Sequence, residues 1–167
     1  TPALHAPTDR IDVQLQLLTS ASRPLSHWSS MHLHIGTAHV AAHVALLGDA
    51  PITPGAMGLA QLVTDRPIAA LAGDRLVLRQ PSARQTVAGG IVLDPWPPNR
   101  GRRRPERQLV LAALAAPTVE GAMEGLIRSE PGWFASDRYC RATNLTPEEA
   151  AAAISHITAR NLAVQAG

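Results

Sequence analysis

The stretch Arg84-Gln85-Thr86-Val87-Ala88-Gly89-Gly90-Ile91-Val92 is followed closely by Pro95-Trp96-Pro97-Pro98-Asn99-Arg100-Gly101-Arg102-Arg103-Arg104-Pro105. The first is a Gly/Thr-rich strand end, and the second is typical of a hinge. The residue patterns on the two sides of this junction differ. We therefore predict an interdomain linker at 1–8, a β domain at 9–94, a hinge at 95–104 and a helical domain at 105–167.

The positive charge of the chain is concentrated in this hinge. Residues 9–94 carry six Arg and six Asp, residues 105–167 carry five Arg against seven acids, and residues 95–104 carry four Arg and no acid. Clustered arginines of this kind can contact phosphates, which makes Arg102 and Arg103 candidate RNA-binding residues. A solvated linker is the alternative.

Several classes of function are excluded by composition. All fifteen basic residues are Arg, so the lysine of a phosphate-binding P-loop or of a kinase is missing. The lone Cys140 rules out an internal disulfide and a Cys-rich zinc site, consistent with a reducing, cytoplasmic location. Apolar runs are far shorter than a membrane span. Because the chain begins at Thr1 without Met, we expect an excised fragment.

The first half of the chain has the pattern of strands. Ile11-Asp12-Val13-Gln14-Leu15-Gln16-Leu17 alternates apolar and polar residues, and shorter runs follow at 31–35, 39–47, 58–64, 75–79 and 86–93. Six strands with no helix between them predict a six-stranded antiparallel β-barrel or a sandwich. We place Pro67 and Pro81 between strands, and Gly89-Gly90 at a bulge or at a close backbone approach.

Five of the seven histidines lie between residues 27 and 43. Residues 31–35 and 39–46 alternate apolar residues with histidine. If residues 36–38 form a hairpin turn, four histidines share the outer face of two paired strands: His32, His34, His39 and His43. This face is interpreted as a metal site, an RNA-binding surface or a solvated face. The lack of a neighbouring acid or Cys disfavours the metal.

The second half has the pattern of helices. Segments near 105–116, 119–129 and 136–142 are followed by a turn at Asn144-Leu145 and by a helix that Thr146-Pro147-Glu148-Glu149 begins as a capping box. We expect a buried stripe at Ile154 and Ile157, a C-cap at Asn161 and a strand at 162–164. This order is typical of a winged helix. Its last helix has few arginines, which favours a packing module over a nucleic-acid reader.

The first half resembles the third domain of EF-Tu-like translational GTPases. Four motifs in this order carry the resemblance: Thr53-Pro54-Gly55, Pro67-Ile68-Ala69, the run 73–79 and the run 84–92. Within that superfamily, His32-Leu33-His34, the run 89–98 and Pro105-Glu106-Arg107 are similar to the selenocysteine-specific elongation factors of bacteria (SelB). The similarity extends over residues 9–115, and more loosely over the winged-helix part.

The resemblance implies a function. SelB-like factors deliver selenocysteinyl-tRNA to the ribosome at recoded UGA codons, and their last winged helices bind an mRNA hairpin. This chain is then a fragment without the GTPase domain, which would hold GTP and Mg, so we expect no catalysis and no cofactor in it. A His-rich metal-binding enzyme and a winged-helix DNA-binding regulator are the alternatives from the residues alone.

The resemblance also implies two strips that contact the tRNA backbone. One lies on the strand that contains His32 and His34 and on the turn that follows it. The other is the loop before the last strand, with four candidate residues: Gln80, Ser82, Arg84 and Thr86. An arginine can bind a phosphate through two hydrogen bonds, and hydroxyls and amides can donate one each.

Overall fold

The computed structural model describes residues 6–82, 85–129 and 136–165. The chain divides into two compact units, residues 1–103 and residues 104–167. The first consists of strands and the second of helices. In the described part of the chain, no helix is both long enough and apolar enough to cross a membrane.

Six antiparallel strands of the first unit close into a barrel in the order β1-β4-β3-β2-β5-β6. Their bounds are β1 Thr8–Leu17, β2 Ser29–Ile35, β3 Ala38–Leu46, β4 Met57–Ile68, β5 Arg75–Arg79 and β6 Thr86–Asp94. The predicted six-stranded barrel is confirmed. A turn at Gly36-Thr37 joins β2 to β3, with Gly36 at φ +52°, so the predicted hairpin is confirmed as well.

The interior of the barrel is built by the alternation seen in the sequence. Ile11, Val13 and Leu15 of β1 are fully buried, and Leu33 of β2 and Leu78 of β5 meet them from other strands. Residues between these positions point outward. Burying one face of every strand therefore fixes which side chains the barrel presents to solvent.

A small polar group is also buried in the barrel wall. Gln61 of β4 is fully buried and donates a hydrogen bond from Nε2 to Oδ1 of the buried Asp12, at 2.9 Å. The amide oxygen of Gln61 accepts a bond from Arg102 at 3.5 Å. Because buried polar groups need partners, this chain of bonds ties the segment after β6 to the barrel.

One expectation about the strands is wrong, and of the two alternatives for Gly89-Gly90 the close backbone approach is confirmed at Gly90. Pro67 lies inside β4, not between strands, but it is past Thr64, the last residue of β4 that pairs with β3. Gly89-Gly90 is not a bulge, because β6 keeps continuous register with β1 there. Instead, a Cβ on Gly90 would lie 2.5 Å from the carbonyl oxygen of Gln14. Glycine is needed at residue 90 because two backbones approach closely.

The second unit contains four helices, α1 Pro105–Leu114, α2 Val119–Ser129, α3 Ser136–Thr143 and α4 Pro147–Gln165. Met123, Tyr139 and Ile157 form the centre of its core. The predicted capping box is confirmed: the Glu149 amide donates to Thr146 Oγ1 at 3.2 Å, and the Thr146 amide donates to the Glu149 carboxylate at 2.8 Å. Asn144, in the predicted turn, has φ +56°.

Three details of this unit differ from the sequence prediction. Ile154 is 43% exposed and does not share the buried stripe with Ile157. Asn161 does not end α4, and residues 162–164 continue the helix instead of starting a strand. A short apolar run fits a helix or a strand equally well, so the pattern alone could not decide. The winged-helix assignment of residues 105–167 stays a prediction.

Candidate nucleic-acid interface

The histidines predicted to face outward do so. His32 and His34 of β2 lie on the outer face of the barrel beside β3, where His34 pairs with His39. The rings of His34 and His39 have their centroids 4.3 Å apart. These side chains, together with Asp65 and Arg66, line a concavity of about 330 Å³. Arg66 is held there by a 2.6 Å bond from Nη2 to the carbonyl oxygen of His39.

Strand β5 joins this surface to the predicted loop. His32 is the partner of Arg79, and Arg79 is in turn the partner of Thr86 in β6. The Nε of Arg79 donates to Thr86 Oγ1 at 3.4 Å. His32, Arg79 and Thr86 therefore form one row across three adjacent strands, which we call the His–Arg row. Neighbouring strands are about 4.8 Å apart, so such a row can contact consecutive groups of an extended ligand.

One histidine of this surface, His34, has a shifted pKa. Burial lowers the pKa of His34 below its usual range, and the nearby positive groups of His39, Arg79 and His32 lower it further. His34 therefore takes its charge at a lower pH than an ordinary histidine. The guanidinium of Arg79 gives the His–Arg row a positive charge that does not depend on pH in the physiological range.

A second concavity, of about 360 Å³, lies at the end of the barrel beside this row. Its walls are the segment 21–26, the start of β2 and the turn after β5, and its polar lining includes Arg23, Ser30, Gln80 and Ser82. The predicted loop residues Gln80 and Ser82 are thus brought to a cleft that also contains an arginine. Hydroxyls, an amide and a guanidinium are the donors that bind phosphate oxygens.

The other predicted residues have different positions. Arg84 lies outside the described residues. Arg103 is exposed but is anchored to the barrel, since its Nη2 donates to the carbonyl oxygen of Leu46 at 2.9 Å and lies 3.1 Å from Nδ1 of His27. Arg102 contacts Gln61. Both arginines use part of their donor capacity inside the barrel unit, and their role in RNA binding stays a prediction.

Sequence reasoning did not select Arg23, Arg66 or Arg79. The alternation of Arg75, Val77 and Arg79 with the two leucines of β5 is a signal that could have placed Arg79 on the outer face, but its pairing with His32 depends on strand order. Arg23 and Arg66 lie outside any motif, and only closure of the barrel brings them to the two concavities. The sequence therefore lacked information on which side chains of neighbouring strands lie side by side, and not on which face of a strand they occupy.

The metal interpretation of the histidine face gains no support. In the described parts of the chain, no group of three or more His, Cys, Asp or Glu side chains could hold a metal ion. His34 and His39 face each other, but structural zinc sites require four ligands and catalytic ones three.

Comparison with known proteins assigns the barrel to a family. The family model of the β-barrel domain of the selenocysteine-specific elongation factor matches residues 8–99. Fold and match together define the first unit as the barrel domain of a translation elongation factor. The chain belongs to the selenocysteine-specific elongation factor family.

Three curated proteins similar to this chain are also named selenocysteine-specific elongation factors. The selenocysteine-specific elongation factor of Escherichia coli (strain K12) is 43% identical over 109 residues, 65% of this chain and 16% of that protein. The one from Desulfomicrobium baculatum is 31% identical over 127 residues, 76% of this chain and 20% of that protein. The one from Haemophilus influenzae is 32% identical over 109 residues. The chain thus spans about a fifth or less of the length of these relatives.

Proposed function

We propose that the barrel binds the sugar-phosphate backbone of selenocysteinyl-tRNA as part of a selenocysteine-specific elongation factor. The observation that carries the proposal is the His–Arg row, His32, Arg79 and Thr86, which ends beside the cleft containing Gln80 and Ser82. In the proposed complex the tRNA is delivered to the ribosome at a recoded UGA codon. GTP and Mg are held by a GTPase domain elsewhere in the protein, and an mRNA hairpin by further C-terminal modules.

The chemistry of the surface supports a phosphate ligand. Arg79 presents a guanidinium, and Thr86 and Ser82 present hydroxyls. Donors of these kinds make most contacts to nucleic-acid backbones and carry little sequence information. A surface that reads backbone suits the role of holding a duplex stem, because A-form RNA is recognised mainly by shape and by phosphate and 2′-hydroxyl contacts.

The test is substitution of Arg79 by Ala in the full elongation factor that contains this chain. Loss of one charge-assisted phosphate contact should weaken selenocysteinyl-tRNA binding by about 1–3 kcal/mol. The slope of log affinity against log salt should fall by somewhat less than one unit, since about one counterion fewer is released.

Arg75→Ala is the matched control. Arg75 is an exposed arginine of the same strand and on the same face, but it pairs with Ile91 at the other end of β5, outside the row. We expect this variant to retain both affinity and salt slope. Equal affinities for the two variants, with both folded, would show that the row does not bind tRNA.

A further inference from the structure

A half-exposed tryptophan sits on the outside of the barrel next to the histidine face. Trp28 immediately precedes β2 and is 48% exposed. Its ring lies parallel to that of His43 on β3, with an interplanar angle of 4° and centroids 5.0 Å apart. His43 is fixed in turn by a 3.2 Å contact between its Nδ1 and Ser30 Oγ. About half of the surface of this residue thus stays accessible although a second ring is stacked against its indole.

The backbone of Trp28 is in an unfavourable conformation. Its φ is +64°, in the left-handed region that bulky residues rarely adopt. The conformation is held by a 2.7 Å bond from the Trp28 amide to the carbonyl oxygen of Val44. Left-handed backbone costs free energy, and it persists where the structure around it enforces it, often at binding sites. Glycine or Asn would fit this backbone better, so the backbone does not explain why the residue is Trp.

The groups around the ring are cationic or neutral. His27 directly precedes Trp28 in the chain, and the centroids of the two rings are 6.1 Å apart. Arg103 contacts His27 at 3.1 Å. In the described residues, no carboxylate makes a hydrogen bond or an ion pair with Trp28, His27, His43 or Arg103. An aromatic ring flanked by imidazole and guanidinium groups is complementary to a nucleobase and its phosphate.

We propose that Trp28, stacked on His43, is a platform for one unpaired base of the RNA whose backbone the His–Arg row holds. Ser30, which contacts His43, lies two residues before His32 on the same face of β2, about 7 Å away, so the platform lies beside the row. The inference rests on the proposed function for the duplex part of the ligand. It adds a single-stranded element: the bound RNA presents a base without a partner next to its stem.

The experiment compares two RNAs on the whole chain: a blunt hairpin, and the same hairpin with a single-stranded adenosine tail. Wild type should bind the tailed RNA more tightly by about five- to a hundredfold, the range for one base stacked on an aromatic side chain. Trp28→Asn, which suits the left-handed backbone, should lose this tail-dependent gain without weakening blunt-hairpin binding. Trp28→Phe should keep part of it. The Trp28 indole N–H resonance, assigned by its absence from Trp28→Phe, should move with the tailed RNA alone.

The outcomes separate the two proposals. If the tail adds no affinity, or if Trp28→Asn keeps the gain, the platform is refuted, while weaker binding of both RNAs by Arg79→Ala still supports the backbone surface. If Arg79→Ala changes nothing but Trp28→Asn removes the gain, the platform stands and the backbone surface does not. If neither RNA binds, the platform is refuted, and selenocysteinyl-tRNA binding by the full factor and its Arg79→Ala variant decides on the backbone surface.

Discussion

Two adjacent glycines of β6 should respond in opposite ways to the same substitution. A Cβ at Gly90 would lie 2.5 Å from the carbonyl oxygen of Gln14 and 2.9 Å from a methyl group of Leu15. One neighbour is backbone and the other is fully buried, so neither moves easily. A Cβ at Gly89 would meet only the carbonyl oxygen of Leu76, at 3.9 Å, which is ordinary contact.

The expected magnitudes follow from these distances. Gly90→Ala should destabilise the barrel by about 1–3 kcal/mol, the usual cost of forcing an extra group into a packed interior. For a domain of this size that lowers Tm by about 5–20 °C. Gly89→Ala should be neutral or stabilise by up to about 1 kcal/mol, because alanine in a strand loses less backbone entropy on folding.

The assay has to report on the barrel alone, because the chain has two compact units and a single global transition is not assured. Urea unfolding followed through the amide resonances of β1 and β6 satisfies this requirement. The pair is its own control, since both variants add the same methyl group to the same strand. Equal stabilities, or a larger loss for Gly89→Ala, would refute the argument that residue 90 is glycine because of the backbone of β1.

Three further predictions concern single residues. Trypsin should cut after the exposed Arg100 earlier than after Arg103, because the guanidinium of Arg103 is bound to Leu46 and His27. Arg103→Ala should speed cleavage after Arg102. N-terminal sequencing of the first fragments measures the order of cleavage, and first cleavage after Arg103 in wild type would contradict this prediction. His34 has a lowered pKa in the folded barrel, so as pH falls the unfolded chain takes up this proton first, and the barrel should lose stability below the ordinary histidine pKa of 6.5. Unfolding measured at several pH values should show that the stability of His34→Gln depends less on pH than that of wild type. An unchanged pH dependence would count against the lowered pKa of His34. Thr146→Ala removes the capping box of α4 and should destabilise the helical unit by about 0.5–2 kcal/mol without affecting the barrel. Hydrogen exchange of the amides of α4 measures this loss. An unaltered exchange rate would show that the capping box does not stabilise the helical unit.

The sequence predicted which face of a strand each side chain occupies, but it did not predict which side chains of other strands lie next to it. Alternation in residues 11–17 and 31–35 correctly assigned the inner and outer faces, because a strand repeats every two residues whatever it pairs with. The bond between Arg103 and the carbonyl oxygen of Leu46 joins residues 57 positions apart. The pairing of His32 with Arg79 likewise depends on β2 lying beside β5, three strands later in the chain. Such contacts are set by barrel closure, which no local pattern encodes.

Closure of the barrel also constrains how the first unit recognises a partner. Every strand in the order β1-β4-β3-β2-β5-β6 has two neighbours, so the barrel offers no free edge to which a peptide could add as a further strand. Recognition on the barrel wall must therefore use outward side chains. On β2, β3 and β5 those side chains include histidines and Arg79, and Trp28 stands immediately before β2. A barrel surface that presents hydrogen-bond donors and aromatic rings, and no strand edge, favours a ligand made of phosphates and bases over an extended peptide.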